Sequence, residues 1–256
     1  VPRFLTRPSR VIPVALLLVL AVGAAFLWRG AHSSTAASED TALAAFHERG
    51  GGTGPGSPGT PAPGVYRFRQ KGSESAGSGP LSVSRDLPPE AIYIVNAIPG
   101  GYHEDLRLAE EHVEEVRFQE SPDGVRAHWR RTKVTFLGIG EDERDDVTPP
   151  SLDHPADLTV GKAWSGRYRQ GETAVSFSAK VTGRETLALD GRRIPVLVVR
   201  TVSDFTGPTH GTRTDTLWWS PKLSLPLRWT IAQKTGGEND YEISDDLVLE
   251  SATPVT

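Results

Sequence analysis

From residue 65 onward, the two-residue alternation of apolar and polar side chains is what most constrains the fold. In residues 173–182, Val175, Phe177, Ala179 and Val181 share one face, and Ser176, Ser178, Lys180 and Thr182 share the other. In residues 222–231, Leu223, Leu225, Leu227, Trp229 and Ile231 alternate with Lys222, Ser224, Pro226, Arg228 and Thr230. Successive strand side chains point to opposite faces, so each stretch reads as a strand with one face on a core. Residues 65–69, 91–96, 125–131, 133–139, 186–189, 193–202 and 241–249 read the same way. Asp190-Gly191 separates two of them and tolerates the positive φ of a two-residue hairpin. Ser121-Pro122-Asp123-Gly124 marks another turn. Pro226 has no N–H to give a ladder, which predicts an edge or a bulge.

Strands joined by short turns predict a mainly β domain, an antiparallel meander forming a curved sheet or partial barrel, over residues 65–256. Two segments do not follow the pattern. In residues 104–120, Leu106, Ala109, Val113 and Val116 recur at helical spacing while Val116 and Phe118 alternate, so a helical turn leading into a strand from about Val113 is expected. Residues 140–157 are acidic and proline-containing, and read as a loop.

Ahead of the β domain, residues 11–28 carry no charge and would span roughly 27 Å as a helix. Arg3, Arg7 and Arg10 precede them, and no acidic residue occurs before Glu39. Positive charge resists translocation, which predicts one N-terminal transmembrane helix with residues 1–10 cytoplasmic and the rest outside. A cleaved signal peptide is the alternative, with Gly23 and Ala25 as small residues near a cleavage site. Both readings place the β domain outside the cytoplasm, at the cell membrane or secreted. Residues 29–64 read as a linker, Gly/Pro-rich at 50–64. Within them, residues 38–49 read either as a short helix capped by Ser38 or as a weakly helical tether, and the tether is the simpler reading.

Composition narrows the chemistry. Lys and Arg number 28 against 32 Asp and Glu, a net charge of −4, which argues against nucleic acid as a partner. The absence of Cys excludes disulfides, thiolate metal sites, a cysteine nucleophile and a lipidated N-terminal cysteine. No two of the seven histidines stand at HExxH spacing, and His103 and His112 with Glu104 or Glu111 make a weak metal set. The acidic run from Glu141 to Asp146 lacks the ligand order of a calcium loop. The pairs Asp245/Asp246 and Asp153/Asp157 fit glycosidase carboxylates only in principle. No catalytic residue, cofactor or metal is therefore nominated. Trp218 and Trp219 are adjacent, so in a strand they face opposite ways and cannot share one core. With Arg228 they form the candidate ligand-binding set: an exposed Trp can stack on a sugar or line an apolar groove.

The segments LTVGKAWSG from Leu158, VTGRETLALDGRRIPVLVVRT from Val181 and LWWSPKLSLPLRW from Leu217 resemble a phrase found in uncharacterised membrane-anchored extracytoplasmic β-domain proteins of actinobacteria. More distantly, the phrase resembles the curved-sheet lipoprotein carriers that hold acyl chains in a half-barrel. The resemblance implies a β fold and an envelope location. The function expected is a non-catalytic cell-envelope protein, anchored through residues 11–28, whose β domain binds a lipid or other hydrophobic ligand, a glycan or an envelope protein. An envelope hydrolase with unidentified catalytic residues is the alternative.

Overall fold

The computed structural model describes residues 34–51, 59–77, 82–136, 138–237 and 240–256. The expected membrane span at 11–28 lies outside them, and no helix among the described residues is long and apolar enough to cross a membrane. One helix, α1 (Glu39–Glu48), precedes the strands β1 (Gly64–Ala76), β2 (Val83–Asp86), β3 (Glu90–Ile98), β4 (Gly101–Ala109), β5 (His112–Ser121) and β6 (Gly124–Phe136). Then come β7 (Ile139–Pro155), β8 (Ala163–Gln170), β9 (Thr173–Leu189), β10 (Arg192–Thr206), β11 (His210–Ser220), β12 (Leu225–Gly236) and β13 (Tyr241–Leu249).

From β3 to β13 each strand pairs with the next, and β13 returns to β1 from Phe68 opposite Leu249 to Ala76 opposite Tyr241. On its other edge, β1 pairs first with β3 and then with the short β2, which extends the wall beyond the Pro88-Pro89 interruption. The sheet is thus a closed antiparallel barrel, where the sequence predicts a curved sheet or partial barrel. Closure follows from the length of β1, which satisfies β13 along one edge and two partners along the other, and leaves neither edge free. Arg67, Arg69 and Lys71 are exposed on β1 while Tyr66, Phe68 and Gln70 are buried. A membrane-spanning barrel presents the reverse pattern, with an apolar outer band.

Two segments differ from expectation. Residues 104–120 hold no helical turn: β4 and β5 form a hairpin, and the apparent helical spacing comes from two alternating strands joined at Glu110 and Glu111. Residues 140–157 fall almost entirely within β7. Asp142 is paired across the strands, with Arg131 donating Nε to it at 2.6 Å, while Glu141 and Glu143 line the barrel interior, so ladder pairing with β6 makes a strand of a sequence that reads as a loop. The hairpin at Asp190-Gly191 has positive φ at both residues, 52° and 70°. Pro226 lies at a bulge opposite Trp218 and Trp219, which brings it to the inner face where strict alternation places it outside.

Helix α1 is docked on the barrel wall, where a tether is the simpler sequence reading. Ala42 and Phe46, 0% and 1% exposed, pack on Val65, Ile92 and Ile94 of β1 and β3. At the helix end the Phe46 carbonyl accepts from the Gly51 amide and from Asn96 Nδ2, which ties the helix to β3. Arg49 then bridges Asp105 and Glu115 at 2.8 and 2.9 Å. Before the helix, Thr35 donates to both Glu111 carboxylate oxygens and accepts from the Glu110 amide.

Candidate functional site

Because the meander is antiparallel, its turns alternate between two ends. The β4–β5, β6–β7, β8–β9, β10–β11 and β12–β13 turns form one end, called the rim. The β3–β4, β5–β6, β9–β10 and β11–β12 turns form the other, the floor. The main core cluster gathers residues near the floor, including Tyr66, Phe68, Tyr93, Tyr102, Phe118, Leu189, Val196 and Leu249. A cavity of about 660 Å³ lies inside the barrel. It extends from Tyr93, Tyr102 and Phe118 to residues at the rim, such as Gly77, Thr209 and Gly237. Aromatic side chains from Trp164, Tyr168, Phe177, Trp219 and Trp229 line it. At the β7–β8 seam only Val147 with Gln170 and Thr148 with Arg169 are paired, and the Trp164 indole N–H reaches across to the Asp153 carbonyl at 3.0 Å.

Toward the rim the interior is ionic. His112 Nδ1 lies 2.8 Å from Glu74 and Nε2 lies 3.4 Å from Glu114, so the doubly protonated ring bridges two carboxylates. Glu74 also accepts from Arg85 at 2.5 Å and from the Tyr241 hydroxyl at 2.8 Å. Glu114 accepts from Arg213, which also donates to Asp215, and Asp215 accepts from the Trp229 indole. Burial alone would push the His112 imidazole down, but its bonds to Glu114 and Glu74 outweigh it and hold it up at about 9. Burial works against the Glu74 carboxylate, yet His112, Arg85 and Tyr241 hold it down at about 2. Glu114 is likewise held well below the usual carboxylate range by Arg213 and His112, despite burial. Every charge in this group has a partner, so it stiffens the wall.

Deeper in the cavity the pairing is incomplete. Burial, with the nearby Asp153 charge, pushes the Glu104 carboxyl up to about 8 against the pull of Tyr93 and Arg130. Asp245, on the inner face of β13, accepts from Gln70 Nε2 at 3.0 Å, and burial raises its carboxyl to about 6.

The structure separates the three residues nominated from sequence. Trp219 lines the cavity, and its ring lies 5.2 Å from that of His154. Trp218 and Arg228 meet on the other face, directly opposite each other across β11 and β12. The Arg228 guanidinium stands 4.7 Å above the Trp218 ring and is held by two bonds to Asp246, while the Trp218 indole N–H donates to Glu185. The outer Trp is thus covered by its own protein, through a cation–π contact. His103 and His112 point to opposite sides, the first toward Glu115 and Trp129, the second toward Glu74. No group of three potential metal ligands occurs among the described residues. Asp245 lies inside while Asp246 binds Arg228, and Asp153 and Asp157 engage His154 and Lys162 respectively. Sequence reading weighed Glu104 and His112 only as weak metal ligands and missed their interior network with Arg130 and Arg213, because charged residues on the inner face of a strand look like a solvated face.

No family model and no curated protein matches this sequence. Among solved structures, the chain is similar to the hypothetical lipoprotein YmcC from Escherichia coli (K12), at 12% identity over 69% of this chain and 85% of that one, with a TM-score of 0.29. At that score the likeness carries no argument about function.

Proposed function

We propose that this chain is a non-catalytic binding protein of the cell envelope, whose barrel holds a small amphipathic ligand. The observation that carries this reading is the internal cavity. At about 660 Å³ it falls in the range of small-molecule sites, and it combines aromatic walls with a few placed charges. A filled core would need no such space, since protein interiors normally pack to crystal-like density.

The envelope location rests on residues 11–28. Ser34 already donates its hydroxyl to the Asp86 carbonyl, and Thr35 binds the β4–β5 turn at the rim. Six residues beyond residue 28 reach at most about 22 Å. A membrane anchor at 11–28 therefore holds the rim near the bilayer, and the Gly/Pro stretch at 50–64 lies between two docked elements instead of providing reach.

The test is extraction of the full chain from its native membrane, followed by mass spectrometry of co-purifying small molecules. An amphipathic compound recovered in near-stoichiometric amount in repeated preparations is the expected result. Repeated recovery of none, together with no uptake of added amphiphiles, would reject the binding reading.

A further inference from the structure

The arginines of the barrel interior are not equivalent. Arg85 is answered by Glu74 and stacks on Phe136, and Arg213 is answered by Glu114 and Asp215. Arg130, which also lines the cavity, forms no ion pair among the described residues, and its Nε is buried without a hydrogen-bond partner. The guanidinium lies 5.9 Å from the Tyr168 ring centroid, which supports its plane but does not neutralise its charge. The side chain is half-buried and turned to the cavity, with its Nε fully buried, and buried polar atoms are otherwise almost always partnered. What the site lacks is an acceptor with negative charge, and a guanidinium binds carboxylate and phosphate with two parallel bonds.

The side chains nearby do not supply that acceptor. Glu104 faces Tyr93 from β3, Arg130 from β6 and Asp153 from β7, with Tyr102 on its own strand, and burial keeps its carboxyl largely protonated at neutral pH. Asp153 is already engaged by His154 Nδ1 at 3.0 Å. Arg130 is thus without an anionic partner among the described residues, in a cavity also lined by Trp164, Tyr168, Phe177 and Trp219.

We propose that Arg130 receives the acidic headgroup of an amphipathic ligand, an acyl carboxylate or alkyl phosphate whose tail lies among the cavity aromatics. This rests on the reading of the cavity as a binding site and adds the class of ligand.

The full chain in a non-ionic detergent is offered laurate, dodecyl phosphate, dodecanol or dodecyltrimethylammonium at pH 7, and retained adducts are measured by native mass spectrometry. Laurate and dodecyl phosphate should bind about tenfold or more tightly than dodecanol, since a charge-assisted contact is gained. The comparison of carboxylate with phosphate decides which headgroup fits. Arg130→Met should remove the preference for laurate over dodecanol, and Arg130→Lys should restore part of it. Laurate affinity should fall as pH rises through about 8, where Glu104 ionises, and Glu104→Gln should flatten that dependence. Equal binding of laurate and dodecanol by the wild-type chain would overturn the Arg130 assignment and leave the cavity reading standing. Preference for dodecyltrimethylammonium would overturn it too. Failure of all four amphiphiles would overturn both.

Discussion

At the scale of residues, the ionic group around His112 sets a pH dependence whose sign is fixed. An imidazole whose pKa rises from an unfolded value near 6.5 to about 9 on folding stabilises the barrel fully below 6.5 and loses that contribution as pH rises through 9. Its worth is on the order of 3 kcal/mol. Raised carboxyl pKa values at Glu104 and Asp245 act in the same direction, since ionising a buried acid opposes folding as pH increases. Urea denaturation followed between pH 6.5 and 9.5 should therefore show a falling midpoint, and His112→Gln should remove most of the slope. A wild-type midpoint constant across that range would contradict both a charged His112 and a raised Glu104 carboxyl in the folded chain. The sequence carried half of this pattern: His112 and Glu114 stand two apart, as strand neighbours on one face do. It carried no sign that Glu74, Arg213 and Tyr241 arrive from three other strands, because closure of the barrel, not local spacing, assembles them.

At the scale of elements, α1 and the long strands show how far local pattern reaches. Helix α1 has its acidic first turn at Glu39 and Asp40, and these were visible, but the docking of Phe46 on Val65, Ile92 and Ile94 was not, because its partners lie more than fifteen residues away. A ten-residue helix has little stability alone. Phe46→Ala should release it, with a loss of about 3–5 kcal/mol of local stability. Hydrogen exchange is the measurement: amides of residues 42–48 should exchange far faster in the variant while those of β9 and β10 stay protected. Equal protection of the helix in both proteins would contradict the docking. The strands at 173–182, 193–202 and 241–249 were legible because one face meets a core and the other meets water. Strand β7 was not, since Glu141, Asp142, Glu143, Arg144, Asp145 and Asp146 show no hydrophobic alternation, and pairing with β6, Arg131 to Asp142 included, is what holds the segment extended.

At the scale of the whole molecule, closure of β13 on β1 turns a meander into a container with an aromatic floor and a charged rim. The adjacent residues Trp218 and Trp219 mark the two sides of its wall, one covered by Arg228 outside and one lining the cavity within. That geometry allows the central claim to be tested by one optical measurement. Bromine on an acyl chain quenches indole emission on contact, so the full chain is titrated with a dibrominated fatty acid, alongside Trp219→Phe and Trp218→Phe. If the cavity holds the acyl chain, emission falls saturably, Trp219→Phe loses a clear part of the quenchable signal, and Trp218→Phe loses none. No saturable quenching, or an equal loss in both variants, would show that the ligand does not enter the barrel.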